Sequence, residues 1–116
     1  MHSRRILLVS SDLLASSRLA GVARGLGDTL DVRASVATVA ADAPYDVVLI
    51  DVQSCPDPTA AIARGREAAG AAGKVVAFGP HVWKERLEAA VGADAAATRG
   101  EVMEGLATLL DRVSPK

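Results

Sequence analysis

The sequence predicts a single α/β domain over residues 1–116, with a five-stranded parallel sheet between two layers of helices. Two observations lead to this prediction. Short, strongly apolar runs alternate along the chain with segments of helical periodicity, which is typical of parallel strands joined by crossover helices. The most apolar run, 47–50, lies between Asp46 and Asp51 and indicates a central strand that is covered on both faces.

The first strand and the helix after it follow from local pattern. Residues 6–9 form an apolar run, and Ser10, Ser11 and Asp12 behind it each carry a side-chain oxygen that is able to cap a helix. The next apolar residues recur with helical spacing, at Ala15, Leu19, Val22 and Leu26. The sequence therefore predicts a first βα unit whose helix faces the sheet with these four residues.

The second unit is short. Residues 30–34 alternate between apolar and charged side chains, which predicts a half-exposed edge strand. Only 35–43 remain before Pro44, enough for about two helical turns. We therefore expect a shortened second helix, followed directly by the central strand that ends at Asp51.

The third unit begins with a loop after Asp51. Asp57 and Pro58 have the pattern of an N-cap followed by proline at the first helical position, and a helix is expected over 58–72, closed by Gly73. Residues 74–78 then form another apolar run that predicts the fourth strand.

The last two units complete the sheet. Pro80 begins a predicted helix that runs to about residue 91, a weak fifth strand covers 95–98, and a final helix covers 101–113. The final helix has one apolar stripe, formed by Val102, Leu106, Leu109, Leu110 and Val113. Five βα units in succession favour the flavodoxin-like strand order 2-1-3-4-5, in a three-layer sandwich.

Composition excludes several classes of function. The formal net charge is −1 with acids and bases interspersed, so charge does not indicate a nucleic-acid partner. Cys55 is the only cysteine, which excludes an internal disulfide and a cysteine-cluster metal site. No apolar run approaches the roughly 20 residues that cross a bilayer, so we expect no membrane association and a cytoplasmic protein.

At this point the chain resembles the receiver domain of bacterial two-component response regulators, the CheY-like fold, over almost its whole length. In that family the third strand ends in the aspartate that accepts a phosphoryl group, and Asp51 occupies this position. The turn at 92–94 is similar to the family's usual lead into the fifth strand. The resemblance implies a signalling protein of a two-component system.

The remaining positions of the family's site differ in this sequence. Ser10 and Ser11 replace the acidic pair that holds the metal in receivers, and the nearby acid, Asp12, comes one residue late. Gly79 replaces the Thr or Ser at the end of the fourth strand, and Arg99 replaces the lysine after the fifth. Because a lone carboxylate is a poor magnesium site, the resemblance implies a degenerate receiver, or pseudo-receiver.

Three functions are consistent with this sequence. The first is a non-catalytic receiver-like module that signals through protein contacts, without a cofactor and without metal-dependent phosphorylation. The second is an atypical phospho-acceptor that uses Asp51 and Mg²⁺, with Arg99 in the lysine's role. The third is a small-molecule binder or enzyme with a pocket around Ser10, Asp51, Gly79, His81 and Arg99. The absence of a paired base and nucleophile makes this third function the weakest of the three, and we therefore expect that the protein is not an enzyme.

The resemblance also implies a contact surface. In receivers the face formed by the fourth helix, fifth strand and fifth helix is the usual output and dimer face. Trp83 and Arg86 fall on the predicted fourth helix, where an indole is able to anchor a partner. We therefore expect a protein partner or a homodimer on this face.

Overall fold

The computed structural model describes residues 3–35, 45–69, 71–80 and 92–115. The strands are β1 Arg5–Val9, β2 Thr29–Arg33, β3 Val47–Asp51, β4 Lys74–Gly79 and β5 Ala95–Thr98. The helices are α1 Leu13–Gly25, a 3-10 helix Val52–Ser54, α2 Pro58–Ala69 and α3 Arg99–Val113.

All five strands pair in parallel, in the order β2-β1-β3-β4-β5. This order confirms the fold that the sequence predicts. Every residue of β3 is buried, as expected for a central strand, whereas β2 lies at one edge and is partly exposed. Because all strands run in one direction, their carboxyl ends meet at one edge of the sheet.

The core has two halves, one on each face of the sheet. Successive side chains of a strand point to opposite faces, so each strand contributes to both halves. The half that packs against α2 contains, from the strands, Leu7, Val9, Val48, Ile50, Val75 and Ala77. The half that packs against α1 and α3 contains Ile6, Leu8, Val47, Leu49, Val76, Phe78 and Ala97. Each fully buried Leu or Ile of this kind contributes roughly 1.5–3 kcal/mol of apolar transfer free energy.

The observed ends of two helices differ from the sequence prediction. Helix α2 ends at Ala69, and a turn leads to Gly73, where an added Cβ would lie 2.3 Å from the carbonyl oxygen of Ala69. The helix is therefore shorter than its apolar pattern indicates, and the turn after it has no room for a side chain at Gly73. Helix α3 begins at Arg99, two residues earlier than predicted, because Thr98 and Glu101 form a capping box.

Two predicted elements lie outside the described residues. They are the shortened second helix and the helix after Pro80, which carries His81, Trp83 and Arg86. The expectations for these elements and for the contact face that includes Trp83 stay predictions.

A cluster of charged residues closes the amino end of the sheet, and we call it the Arg4 cluster (Arg4, Asp28, Asp111 and Ser114). The backbone nitrogen and Nε of Arg4 donate to the Asp28 carboxylate at 2.9 and 3.0 Å. Nη1 of Arg4 donates to Asp111 and to the carbonyl oxygen of Ser114, both at 3.2 Å. The cluster thereby ties the start of β1 to β2 and to the end of α3.

Candidate functional site at the carboxyl edge of the sheet

Four strands bring their following residues together at the carboxyl edge. Asp51 ends β3 and is only 1% exposed, and Ser10 follows β1 beside it. At the end of β4, Gly79 pairs with Thr98 of β5, and Arg99 comes next in the chain. Parallel pairing therefore places residues that are far apart in sequence around one carboxylate.

Both oxygens of the Asp51 carboxylate accept hydrogen bonds. Oδ2 accepts from Ser10 Oγ at 2.9 Å, from Ser54 Oγ at 3.2 Å and from Arg99 Nη1 at 3.2 Å. Oδ1 accepts from the backbone nitrogen of Gln53 at 3.3 Å, so that Asp51 also caps the short 3-10 helix. The negative charge is thus balanced by an arginine and solvated by protein groups in place of water.

Arg99 connects Asp51 to a second carboxylate. Its Nη2 donates to Oδ2 of Asp12, while Oδ1 of Asp12 accepts from the backbone nitrogen of Ala15 at 3.1 Å and caps α1. The Arg99 side chain is 31% exposed, so it reaches the buried Asp51 from the surface. One guanidinium therefore ties the start of α3 to the end of β3 and to the start of α1.

The serines form a hydrogen-bonded layer around this ion pair. Ser10 Oγ accepts from the backbone nitrogen of Asp12 at 3.1 Å, in addition to its bond to Asp51. Ser54 Oγ accepts from the backbone nitrogen of Ser11 at 3.0 Å and lies 3.1 Å from its hydroxyl. Ser10 and Ser11 act here as hydrogen-bonding and loop-fixing residues.

Ser54 is the member of the site that the sequence analysis missed. The sequence pattern that could have predicted Ser54 as a site residue is its position three residues after Asp51, in a single helical turn that Asp51 itself caps. A serine at that spacing is close enough for its hydroxyl to donate a hydrogen bond to the capping carboxylate. We use the name Asp51 site for Ser10, Asp12, Asp51, Ser54 and Arg99.

Cys55 lies beside the Asp51 site but is not activated by it. Its thiol is directed at the carbonyl oxygen of Asp51, 3.4 Å away. Burial, and secondly the negative charge of Asp51, raise the pKa of the Cys55 thiol above its usual value. The thiol is therefore less nucleophilic at neutral pH than an ordinary exposed cysteine.

A magnesium ion at this edge would compete with Arg99 for the same two carboxylates. Mg²⁺ requires oxygen ligands, of which one or two are carboxylates, and it strongly favours octahedral geometry. Here the two carboxylates, of Asp12 and Asp51, are both bonded to the cation of Arg99. Within the residues that the structure describes, His, Cys, Asp and Glu form no group of three that is able to hold a metal ion.

The structure brings together five of the residues that the sequence analysis selected, namely Ser10, Ser11, Asp12, Asp51 and Arg99. Gly79 is buried at the end of β4 and offers no hydroxyl to this edge. His81 lies outside the described residues. The geometry is that of a satisfied ion-pair network, and the functional roles of these residues stay predictions.

Solved structures with the same architecture include response-regulator receiver domains. A response regulator from Thermotoga maritima superposes with a TM-score of 0.80 at 16% sequence identity, covering 99% of this chain and 100% of that one. A receiver domain from Methylobacillus flagellatus superposes with a TM-score of 0.75 at 22% sequence identity, covering 97% of this chain and 100% of that one. The chain has the CheY-like receiver fold.

A third similar structure carries a metal. It is the receiver domain of a sensor histidine kinase from Pseudomonas aeruginosa, with a magnesium ion coordinated in its active-site cleft. Its TM-score is 0.75 at 18% identity, covering 97% of this chain and 98% of that one. At these identities the likeness establishes the fold. No protein-family model and no curated protein matches the sequence.

The described residues form three α-helices and one short 3-10 helix. Among them, none is both long enough and apolar enough to cross a membrane.

Proposed function

We propose that this chain is a receiver-like signalling module that works through protein–protein contacts and does not undergo metal-dependent phosphorylation of an aspartate. The observation that carries the proposal is the bridge that Arg99 makes between Asp12 and Asp51. The CheY-like fold supports a role in two-component signalling, and the bridge supports a mode of action that differs from phosphoryl transfer.

The first part of the argument concerns the phospho-acceptor position. A carboxylate that attacks a phosphoryl donor needs a free oxygen in line with the leaving group. Asp51 is 1% exposed, and its two oxygens accept four hydrogen bonds. A phosphoryl donor therefore has to displace several bonds before it reaches the carboxylate, and each bond to a charged group contributes about 1.5–3 kcal/mol.

The second part concerns charge. Phosphoryl transfer depends on positive charge that neutralises the transferred group, and the metal is the largest such charge in a receiver-type site. In this chain Arg99 supplies the only positive charge that contacts Asp51 among the described residues, and the same guanidinium holds Asp12, the second carboxylate of the site. The guanidinium satisfies the carboxylates without recruiting Mg²⁺.

The test is intact-protein mass spectrometry after incubation with acetyl phosphate and MgCl₂. We expect no added phosphate, while an active response-regulator receiver treated in parallel gains it. The Asp51→Asn variant is the matched control, because a phosphate that persists in this variant lies on another residue. Thermal shift measurements with MgCl₂ provide a second readout, and we expect no stabilisation in the millimolar range.

The alternative function is an atypical phospho-acceptor that uses Asp51. It is favoured by one observation, namely that Arg99 Nη1 lies 3.2 Å from Asp51 Oδ2 and that a guanidinium also pairs well with phosphoryl oxygens. A phosphate that appears on the wild-type chain and is lost in Asp51→Asn would establish this alternative and overturn the proposal.

A small-molecule function has less support. The cavity beside the Asp51 site has a volume of about 240 Å³, and residues of the β3–α2 loop and of α2 contribute mostly apolar surface to it. Of the described residues that the sequence analysis placed around a pocket, namely Ser10, Asp51, Gly79 and Arg99, none lines this cavity. Thermal shift measurements with nucleotides, flavins and anions test it, and a large shift with one of them would favour it.

A further inference from the structure

Strand β2 forms one edge of the sheet and pairs with β1 on one side only. The backbone nitrogen of Thr29 and the carbonyl oxygen of Arg33 each form a hydrogen bond of 3.0 Å to a residue that flanks β1. In a parallel pair only every second residue of a strand bonds a given neighbour. Thr29, Asp31 and Arg33 therefore bond β1, and the N–H and C=O groups of Leu30 and Val32 point outward from the sheet.

The outward backbone groups of β2 are largely open to another strand. Among the described residues, the only side chain that bonds them is Arg33, whose Nη1 donates to the carbonyl oxygen of Val32 at 2.8 Å. A strand edge with free N–H and C=O groups is a template for pairing with a further strand. We call the backbone of residues 30–34, with the side chains of Asp31 and Arg33, the β2 edge.

The β2 edge carries two opposite charges on one face of the sheet. Leu30 and Val32 pack against the half of the core that contains α1 and α3, so Asp31 and Arg33 point to the opposite face. The two charged residues are separated by a single position, which places them one after the other along this face.

Both charged groups are able to take a partner from another chain. Oδ2 of Asp31 accepts from the hydroxyl of Tyr45 at 2.8 Å and lies 4.0 Å from Nη2 of Arg5, whereas Oδ1 accepts no hydrogen bond from the described residues. Arg33 is exposed, and in the part of the chain that the structure describes no carboxylate lies within ion-pair distance of it.

We infer that β2 pairs with β2 of a second copy of this chain, in antiparallel orientation and with Val32 on the two-fold axis. Because the N–H and C=O groups of Val32 point outward, the two copies of Val32 form a hydrogen-bonded pair. Leu30 of each copy forms the next such pair with Ala34 of the other. The pairing gives about six backbone hydrogen bonds and joins two five-stranded sheets into one.

Charge selects this register from its neighbours. With Val32 on the axis, Asp31 of each copy lies directly opposite Arg33 of the other, in non-hydrogen-bonded pairs whose side chains approach most closely. A register with Asp31 on the axis opposes two carboxylates, and one with Arg33 on the axis opposes two guanidinium groups. In-register parallel pairing also places like charges side by side, and such pairs are destabilising.

Dimer formation exchanges the hydrogen bond that Arg33 makes in the single chain. The carbonyl oxygen of Val32 loses Nη1 of Arg33 and accepts instead from the backbone nitrogen of Val32 in the second copy. The guanidinium gains the Asp31 carboxylate, and a bond between two charged groups is stronger than a bond to a neutral carbonyl. Because one short strand edge gives a small interface, we expect a Kd of about 10–100 μM.

A second copy fits the β2 edge better than an unrelated strand does. Antiparallel pairing reads the partner strand in reverse, and Asp31-Val32-Arg33 read in reverse presents arginine to aspartate and aspartate to arginine. The interface uses the same patch of both copies, so it closes as a dimer and does not extend into a filament. The inference goes beyond the proposed function and does not depend on it, because no residue of the Asp51 site contributes to this edge.

The experiment measures self-association of the full chain by sedimentation velocity, from about 5 to 500 μM. We expect a reversible change from monomer to dimer over this range. Hydrogen exchange of the ¹⁵N-labelled chain locates the contact. The amides of Leu30 and Val32 are expected to exchange at least about tenfold more slowly at the highest concentration, whereas the amide of Asp31, which already bonds β1, changes less.

Charge variants test the register. Arg33→Glu and Asp31→Lys each place like charges opposite each other, and we expect each variant alone to dimerise at least about tenfold more weakly than the wild type. In an equimolar mixture the two variants offer each other opposite charges at both pairs, so a heterodimer of about wild-type affinity is expected. Arg112→Glu makes the same charge change at an exposed arginine of α3 and is expected to leave the dimer unchanged.

A backbone variant gives an independent readout. Val32→Pro removes an N–H group that points outward, so it keeps the ladder between β1 and β2 and is expected to fold and to stay monomeric. Circular dichroism and urea denaturation show whether each variant is folded. This variant also decides the question if Asp31→Lys, which removes the acceptor of the Tyr45 hydroxyl, does not fold.

Several outcomes would overturn the inference. They are a monomer at every concentration, a dimer that Arg33→Glu and Val32→Pro leave intact, a mixture of folded charge variants that stays monomeric, and slow exchange of the Leu30 and Val32 amides already in the monomer. The last outcome would mean that the β2 edge is covered within the chain. Each leaves the phosphorylation test unaffected, because that test is read on Asp51.

Discussion

The two ends of the sheet each hold a buried carboxylate paired with an arginine, and the two pairs differ in their exposure to water. In the Arg4 cluster the side chains of Arg4 and Asp28 are 2% and 0% exposed. In the Asp51 site the side chain of Asp51 is 2% exposed, whereas the side chain of Arg99 is 31% exposed. In the Arg4–Asp28 pair both side chains are buried. In the Arg99–Asp51 pair only the carboxylate is buried, and the arginine reaches it from the surface.

The difference follows from where each arginine lies in the chain. Arg4 precedes β1, and its own backbone nitrogen shares the Asp28 carboxylate with its side chain, so that the pair forms whenever β1 and β2 align. Arg99 is the first residue of α3 and crosses to β3 and to the start of α1. The Arg4 cluster is therefore part of the sheet's construction, while the Arg99 bridge is a contact that is able to open without separating strands.

The largest loss of stability is expected when the enclosed Arg4–Asp28 ion pair is broken. Arg4→Met removes the guanidinium that pairs with the buried Asp28 carboxylate, and removal of one partner of a buried pair costs about 3–5 kcal/mol. We expect a loss of this size in the free energy of unfolding measured by urea denaturation. Arg24→Met, at an exposed arginine, is the control and is expected to change it by less than about 0.5 kcal/mol. A loss of free energy of unfolding in Arg4→Met as small as that of the control would show that burial of this ion pair adds nothing to stability.

The Arg99 bridge is expected to contribute less. Arg99→Met keeps the apolar part of the side chain but removes both ion pairs, and we expect a loss of about 1–3 kcal/mol in the same measurement. Because Arg99 is partly exposed, salt screens its pairs, so the loss is expected to shrink at about 1 M NaCl. If Arg99→Met lost as much free energy of unfolding as Arg4→Met, independently of salt, the two ion pairs would not differ in their contribution to stability.

Replacing the buried carboxylate at each end of the sheet removes a negative charge from each ion pair. Asp51→Asn keeps one acceptor oxygen for Ser10 and Ser54 and loses the charge, and we expect a folded protein that is about 1 kcal/mol less stable. Asp28→Asn removes the same charge beside the enclosed Arg4 and is expected to cost more. Far-UV circular dichroism and urea denaturation measure both variants, and an unfolded Asp51→Asn would show Asp51 to be essential for the fold.

The smallest expected effect concerns the thiol beside the Asp51 site. Because the pKa of Cys55 is raised in the folded chain, less thiolate is present at a given pH than in the unfolded chain. We expect iodoacetamide to modify native Cys55 more slowly at pH 8 than the same cysteine in denaturant. Equal rates, followed by mass spectrometry, would show that neither burial nor Asp51 affects the thiol.

From the amino-acid sequence alone it was possible to predict the succession of the described strands, the position of Asp51 at the end of β3, the cap at Asp57 and a cap for α1 among Ser10, Ser11 and Asp12. These features depend on apolar periodicity and on side chains that bond within a few residues of their own backbone. Both are local properties, and a linear pattern records them.

Three features depend on how the chain folds as a whole: Arg99 bonds both Asp51 and Asp12, Ser54 completes this site, and Arg4 and Asp28 enclose each other. The sequence distances across these contacts reach 87 residues. Which side chains meet over such distances depends on strand register and on how helices pack on the sheet. Burial then sets the strength of each ion pair, because it decides how much water is left to compete with the partner.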